Sequence, residues 1–284
     1  MEKCYISYMA NDRDIKGILV NNFQLQQVHS KYPYVCLCTK DVSKKVRCIL
    51  KHFNIHIIDI QFHNILRSFH IDDNKIDYLY SKYYWGKLFI FLVEVKQCIY
   101  LDSDLLLLKN IDHLFDKDTS DNRIYMTNDL VLESIYENNI SVLINKKNAF
   151  NSGVIVYSPN RSIFNKMGSY IHCTSLQDIQ RFWRGDQILF NEFHAQKIFH
   201  IHPLHHKYNM ILNSLHYFIN ILDEDDLHII HYTLSPKPWS DDAYSKQCSG
   251  IEQDYWIKWG EIYNTFIKHN LQNYPITCSS IKDG

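Results

Sequence analysis

The chain has 284 residues, enough for one large domain or two small ones with a buried core. It is 46% hydrophobic and 21% charged, with 30 Lys+Arg against 31 Asp+Glu and a formal net charge of -1. That balance gives no basic field for nucleic acid or an anionic membrane and no disordered acidic tail.

Residues 4–9, "CYISYM", form a short apolar strand. Ile15, Ile18, Leu19 and Phe23 then share one face of a helix over 12–29. "YVCLCT" (34–39) is a second strand, Val46, Ile49, Leu50 and Phe53 mark a second helix, and "IHIIDI" (55–60) is a third strand. Leu88, Phe91, Leu92 and Val95 mark a longer helix before a fourth strand, "CIYLD" (98–102). This rhythm predicts an α/β fold, a parallel sheet covered by helices on both faces. Ligands then bind beyond the carboxyl ends of the strands, where strand order switches. Further along, 123–129 and 153–158 read as strands and 161–172 and 186–194 as helices. Strands follow at 197–202 and 227–233, an acidic solvated loop at 220–227 and an amphipathic helix at 255–269. No repeat, low-complexity tract or linker divides the chain.

The longest apolar run, "KLFIFLVEV" at 87–95, carries Lys87 and Glu94 and falls short of the roughly 20 residues of a bilayer span. Met1 leads into a strand with no signal-peptide pattern. The eight cysteines include no C-x-x-C pair, so free buried thiols in a reducing compartment are expected, and a cytoplasmic protein.

One feature breaks the pattern. In "CIYLDSDLLLLKN" (98–110), Asp102 and Asp104 interrupt the most apolar stretch of the chain, at the carboxyl end of a central strand. By strand alternation the two share a face. Paired carboxylates there repel and lose hydration, a cost that a cation offsets. Oxygen ligands of this kind suit Mg2+ or Mn2+. A polar turn that closes the strand, with Asp102 as a cap, remains the plain alternative.

Four segments together resemble glycosyltransferase family 8, with its glycogenin-like members: "YMANDRDIKG" (8–17), "CIYLDSDLLLLKNIDHLF" (98–115), "FNSGVIVYSP" (150–159) and "HYTLSPKPW" (231–239). "GDQILFNEF" (185–193) and, more weakly, "HHKYNM" (205–210) add to them. The resemblance implies a single GT-A domain with a Rossmann-like, mostly parallel mixed sheet flanked by helices. Within it, 1–115 would be the nucleotide-binding half, 116–240 the sugar and acceptor half, and 241–284 an extension. It implies a retaining hexosyltransferase that uses a UDP-sugar, glucose or galactose favoured, and Mn2+, with Mg2+ as substitute. Asp102, Asp104 and His231 match the metal ligands, with Ser103 between the acids. Lys237 matches a lysine that reaches the diphosphate, and Lys87 another for the nucleotide-sugar, with Lys82 competing. Tyr8, Ala10 and Asn11 correspond to the uridine pocket. Asn151, Ser152 and Gly153 match the turn against the donor sugar, and Asp186 and Gln187 the sugar-binding or catalytic pair. The expected partners are the nucleotide-sugar and a saccharide or glycosylated acceptor, with a homodimer suiting the family. A viral member, in the host cytoplasm, fits the composition.

The sequence also departs from the family. Its second Asp before Asp186 is absent from Phe182-Trp183-Arg184-Gly185, its glycine before the lysine is Leu234, and Pro236 is unusual. At the self-glucosylated tyrosine stands His216, with Tyr217 beside it, so self-glycosylation is not expected. Two other readings stand beside this one. His194, His200, His202, His205 and His206 could serve a zinc site, and the fold could be an inactive UDP-sugar-binding module.

Overall fold

The apolar runs become strands of one mixed sheet. The structure is a computed structural model that describes residues 1–129, 149–182, 185–218, 224–233, 235–240, 250–268 and 270. Leu234, Trp183, Arg184, part of the acidic loop and residues 241–249 and 271–284 lie outside the described residues, as do the side chains of His216 and Tyr217. Strands β1 (Lys3–Met9), β2 (Tyr34–Cys38), β3 (His56–Asp59) and β4 (Gln97–Leu101) are parallel. β7 (Phe150–Tyr157) runs antiparallel to both β4 and β6 (Arg123–Asn128), and β8 (His200–Leu204) is parallel to β6. The order is β3-β2-β1-β4-β7-β6-β8. Chain order reverses between β1 and β4, so the expected crevice lies at their carboxyl ends.

Strand alternation splits the core in two. Tyr5, Cys36, Ile99 and Val156 face one layer, with helices α1 (Ile15–Gln27) and α2 (Lys44–His52). Ile6, Val35, Tyr100 and Ile155 face the other, where Trp85, Phe91, Phe190 and Phe199 pack. Both faces are covered, which is why these strands read as continuous apolar runs. A second small sheet sits at the end of the first. There β10 (Ile229–His231) lies between β5 (Leu105–Leu107), its antiparallel neighbour, and β9 (Met210–Ile211), its parallel one.

Several expectations are corrected. The longer helix before β4 is a 3-10 segment, Tyr84–Leu92, in which Trp85 through Phe91 are all buried. Apart from Lys87 its buried positions are apolar on every side, so the run shows no polar face that would tell an α-helix from a tighter one. Two helices precede it, α3 (Phe62–Arg67) and α4 (Asp73–Ser81, capped by Asp72), where the periodicity marked none. β8 is displaced toward the C-terminus and contains Pro203, which an edge strand bonded only to β6 tolerates. Helices α5 (Arg161–Cys173), α6 (Leu176–Phe182) and α7 (Asp186–Ala195) follow β7. The last helix, α8 (Ile251–Ile262), continues as a π-helical turn to Lys268, whose Phe266 stacks on Phe23 of α1 at 4.6 Å. Among the described residues no helix is long and apolar enough to cross a membrane. Four of the six described cysteines are buried; Cys48 is partly exposed and Cys173 exposed.

Asp112 fastens β1 to the turn after α1. It accepts from Tyr5 Oη at 2.6 Å, Ser30 Oγ at 2.9 Å and the Lys31 amide at 2.9 Å. Burial raises its carboxyl, but these bonds outweigh it and hold the group below the ordinary carboxylate range. A depressed carboxylate contributes stability above its unfolded pKa and loses it as pH falls through the folded value. Asp112→Asn should therefore cost about 1–2 kcal/mol at pH 7 and progressively less toward acid. Urea denaturation at several pH values checks this; a pH-independent difference would refute the ionic origin.

Candidate functional site

β4 ends at Leu101, so Asp102 and Asp104 do not share a strand face as alternation suggested. They sit in the turn between two sheets. Backbone bonds hold this turn from three sides. The Asp102 amide donates to Gly153 O at 2.9 Å, Asn21 Nδ2 donates to Asp102 O at 2.8 Å, and the Tyr232 amide donates to Asp104 O at 2.9 Å. Gly17 of α1 packs against it so closely that a Cβ there would lie 2.1 Å from Ser103 O and 2.7 Å from Trp239.

His231 arrives through pairing of β10 with β5, which sets it opposite Leu105. Its Nε2 lies 3.3 Å from Asp104 Oδ1 and 3.8 Å from Asp102 Oδ2. Nδ1 is buried without a hydrogen-bond partner among the described residues, where packing orients the ring. Gly153 provides the space: a Cβ there would meet His231 Cε1 at 2.2 Å and Nδ1 at 2.4 Å. One ligand atom from each of Asp102, Asp104 and His231 lies within 4.8 Å of the others. An octahedral ion with ligands about 2.1 Å away spaces its neighbours roughly 3 Å apart, so small side-chain adjustments close this set around Mg2+ or Mn2+. Two carboxylate oxygens and an imidazole nitrogen fit such an ion chemically.

Two lysines compensate the acids. Lys87, buried within the Tyr84–Leu92 segment, donates to Asp186 Oδ2 at 2.6 Å, Asp102 Oδ1 at 3.0 Å and Ser152 O at 2.7 Å. Its Nζ also lies 4.4 Å from the centre of the Tyr100 ring. Its donors are thus engaged in clamping two carboxylates, while Lys82, the competing lysine, lies at the cleft rim with Nζ over Tyr78. Lys237 donates to Asp104 Oδ2 and, at 3.1 Å, to Tyr232 O, from a loop whose Pro236 follows a cis peptide bond. Burial raises the Asp102 carboxyl, and the Lys87 charge does not fully offset it. Burial also pulls Asp104 and Asp186 upward. His231 and Lys237 outweigh it at Asp104, as Lys87 does at Asp186, and both carboxyls stay below the usual range. Asp186 further gains from opening α7 and from a 2.8 Å bond donated by Ser152 Oγ.

A cleft of about 260 Å3 opens beside this group. Tyr8, Ala10, Lys87, Asp102, Ser103 and Asp186, all singled out from the sequence, line it. Asn11 is not among the lining residues; its Oδ1 caps its own turn by accepting from the Arg13 amide. Asn151 and Gln187 bond each other behind the cleft, at 3.0 Å. Tyr83, Tyr84, Tyr100 and Asp14 also line it, and the sequence reading passed over them. Tyr100, two residues before Asp102, donates to Asp102 Oδ1 at 2.8 Å, a contact that strand alternation could have suggested. Asp129, at the end of β6 as Asp102 is at the end of β4, accepts from Gln187 Nε2. The acid beside Gln187 thus comes from β6.

The histidines of 194–206 do not gather. His194 Nδ1 accepts from the Ile201 amide, His205 Nδ1 accepts from the Lys207 amide, and His206 packs on Phe218. Among the described residues, the Asp102, Asp104 and His231 group is where metal-ligand atoms converge.

A family model described as "Glycosyl transferase family 8" matches residues 5–243. The chain is 25% identical to galactinol synthase 5 of Arabidopsis thaliana in a 311-residue alignment covering 98% of this chain and 89% of that protein. It is 23% identical to glycogenin-1 of Caenorhabditis elegans, covering 95% of this chain and 57% of the relative's length. An uncharacterized protein of Acanthamoeba polyphaga mimivirus is 35% identical over 106 residues, a stretch that spans 37% of each chain. Among solved structures, the galactosyltransferase LgtC, in complex with donor and acceptor sugar analogs, superposes with a TM-score of 0.61 at 18% identity, covering 92% of this chain and 95% of that one. The glycosyltransferase GlyE of Streptococcus pneumoniae gives 0.57 at 18% identity, covering 95% and 64%. At that identity the likeness shows the fold, a mostly parallel mixed sheet with flanking helices.

Two outcomes are expected. Gly153→Ala should cost about 1–3 kcal/mol, because the new methyl must displace the His231 ring, and His231→Ala should relieve most of that cost. Additive losses in a double-mutant cycle would show that the glycine serves something else. Asp14 has no hydrogen-bond or ion-pair partner among the described residues, and burial, then the nearby Asp104 charge, raises its carboxyl to about 6. The folded state therefore holds the proton more tightly than the unfolded chain, so stability falls as pH rises from about 4 to 6 and is level above. In chelator, Asp14→Asn should gain about 1–2 kcal/mol at pH 7.5 and nothing at pH 4. Thermal melts across that range decide it; a gain of equal size at both ends would refute the assignment.

Proposed function

Because the chain belongs to glycosyl transferase family 8, we propose that it is a retaining hexosyltransferase that takes glucose or galactose from a UDP-sugar. The acceptor is a saccharide or a glycosylated molecule. The observation that carries this reading is the convergence of Asp102, Asp104 and His231 beside a 260 Å3 cleft at the β1/β4 switch point. Those three residues would hold a divalent ion, Mn2+ or Mg2+. When bound, the ion supplies charge neutralisation for the departing diphosphate. In this reading residues 1–115 bind the nucleotide and 116–240 the sugar and acceptor.

The chain's own groups divide the remaining work. Tyr8 and Ala10, at the end of β1, form the wall against which a nucleoside rests. Lys237, on a loop and partly exposed, can turn from Asp104 to a diphosphate as a point charge. Lys87 stays put between Asp102 and Asp186 and keeps Asp186 ionised. Asp186 then offers a charged acceptor to sugar hydroxyls and stabilises positive charge as the sugar carbon leaves its phosphate. Ser152 bonds Asp186 directly, and Asn151 and Gln187 back it one layer behind the cleft.

Thermal shift with UDP tests the binding half. A ligand at a hundred times its Kd stabilises by about 2.7 kcal/mol, so UDP with Mn2+ should raise Tm and chelator should cancel most of the rise. Asp104→Ala should abolish the Mn2+ dependence. Should Asp104→Ala respond to Mn2+ as the parent does, the ion sits elsewhere and the reading fails. Release of UDP from UDP-glucose or UDP-galactose, with water as acceptor, tests turnover and separates an enzyme from an inactive binder.

A further inference from the structure

The amides behind Gln187 form a chain with one polarity. The Gly153 amide donates to Asn151 Oδ1 at 2.9 Å. A backbone N–H cannot accept, so this contact fixes which end of the Asn151 amide is oxygen. Asn209 Nδ2 donates to that same oxygen at 2.8 Å and to Thr127 Oγ1 at 3.0 Å. Asn151 Nδ2 therefore points the other way and donates to Gln187 Oε1 at 3.0 Å. Gln187 Nε2 in turn donates to Asp129 Oδ2. The Gly153 donor thus sets the sense of the whole chain, and no amide in it can flip without setting oxygen against oxygen.

The members come from four elements, the end of β6, β7, α7 and the segment before β9. Thr127, Asp129, Asn151 and Asn209 are all buried. Among the described residues Asn209 Oδ1 has no hydrogen-bond partner, whereas its Nδ2 makes two bonds. Hydrogen bonds aligned head to tail also polarise one another, which stiffens the chain.

We propose that Asn209 and Asp129 are positioning residues that lock the Gln187 amide in a single sense, its oxygen toward Asn151 and its nitrogen toward Asp129. This rests on the function proposed above, in which Gln187 backs Asp186 at the donor-sugar site. An amide dipole fixed before charge develops needs no reorganisation during the reaction, which is where preorganised groups gain their effect. Neither residue touches the sugar in this account; both act through Gln187.

The test compares Asn209→Asp, which cannot donate, and the near-isosteric Asn151→Asp, which still accepts from Gly153 but cannot donate to Gln187. Asp129→Asn, which keeps an acceptor, is the conservative partner. Asn22→Ala, a buried asparagine bonded to Phe53 O on α1, controls for stability. At equal distances below their melting temperatures, Asn209→Asp should lose about 30-fold or more in kcat for donor hydrolysis with donor KM within about threefold. Asp129→Asn should retain most activity, and Asn22→Ala all of it. The lock itself is read without turnover. In 15N–1H spectra the Gln187 side-chain amide, identified by its loss in Gln187→Glu, should exchange slowly and shift in Asn209→Asp and Asn151→Asp but not in Asn22→Ala. A Gln187 amide that exchanges like a surface glutamine overturns the proposal, as does a kcat loss in Asn209→Asp no larger than in the control. A parent protein that never releases UDP sinks the functional reading instead, and the amide spectra still judge the lock.

Discussion

Three carboxylates meet where β1 and β4 end, and the buried Lys87 ammonium is what lets them coexist. It binds Asp102 and Asp186 at 3.0 and 2.6 Å, with Ser152 and the Tyr100 ring completing its surroundings. Removing either a buried cation or its partner strands the other charge, a loss far larger than the net worth of the pair. Asp104 has its own cations in His231 and Lys237. The acids therefore differ: Asp104 and Asp186 are held ionised, while Asp102 is raised by burial. An added divalent ion would relieve Asp102 most, since Asp102 has the least compensation.

The surrounding fold serves this grouping. The turn between β4 and β5 is bonded to α1, β7 and the end of β10, and it is the point where one sheet hands over to the other. Two glycines make the close approaches possible. Gly17 lets α1 lie on Ser103, and Gly153 leaves room for the imidazole. Gly86 does the same for the other wall, where a Cβ would strike the Tyr8 ring, and Tyr8 Oη donates to Tyr83 O at 2.6 Å. Both walls of the cleft are thus tied to β1.

The chain belongs to glycosyl transferase family 8, and the superposition on glycosyltransferases shows the same fold, a mostly parallel mixed sheet with flanking helices. Within that fold, Asp14 puts a carboxylate into the cleft wall, and the acid that meets Gln187 is Asp129.

The sequence by itself determined the strands that are apolar on both faces, because β1, β2 and β4 bury every second residue against each covered side. It also determined that Asp102 and Asp104 are costly where they stand, and, through family resemblance, that His231, Lys237 and Asp186 belong with them. Local pattern read a longer helix where the 3-10 segment Tyr84–Leu92 lies, since a segment buried all round shows no polar face, and it set β8 too early, since an edge strand admits Pro203. Only the tertiary structure decided which lysine clamps the acids, that the acid pair lies in a turn rather than on a strand face, and that Asp129 and Asn209 align Gln187. Those outcomes depend on pairing between segments far apart in the chain, such as His231 with Leu105. Periodicity records only which way a residue faces from its own backbone and carries no information about what waits there.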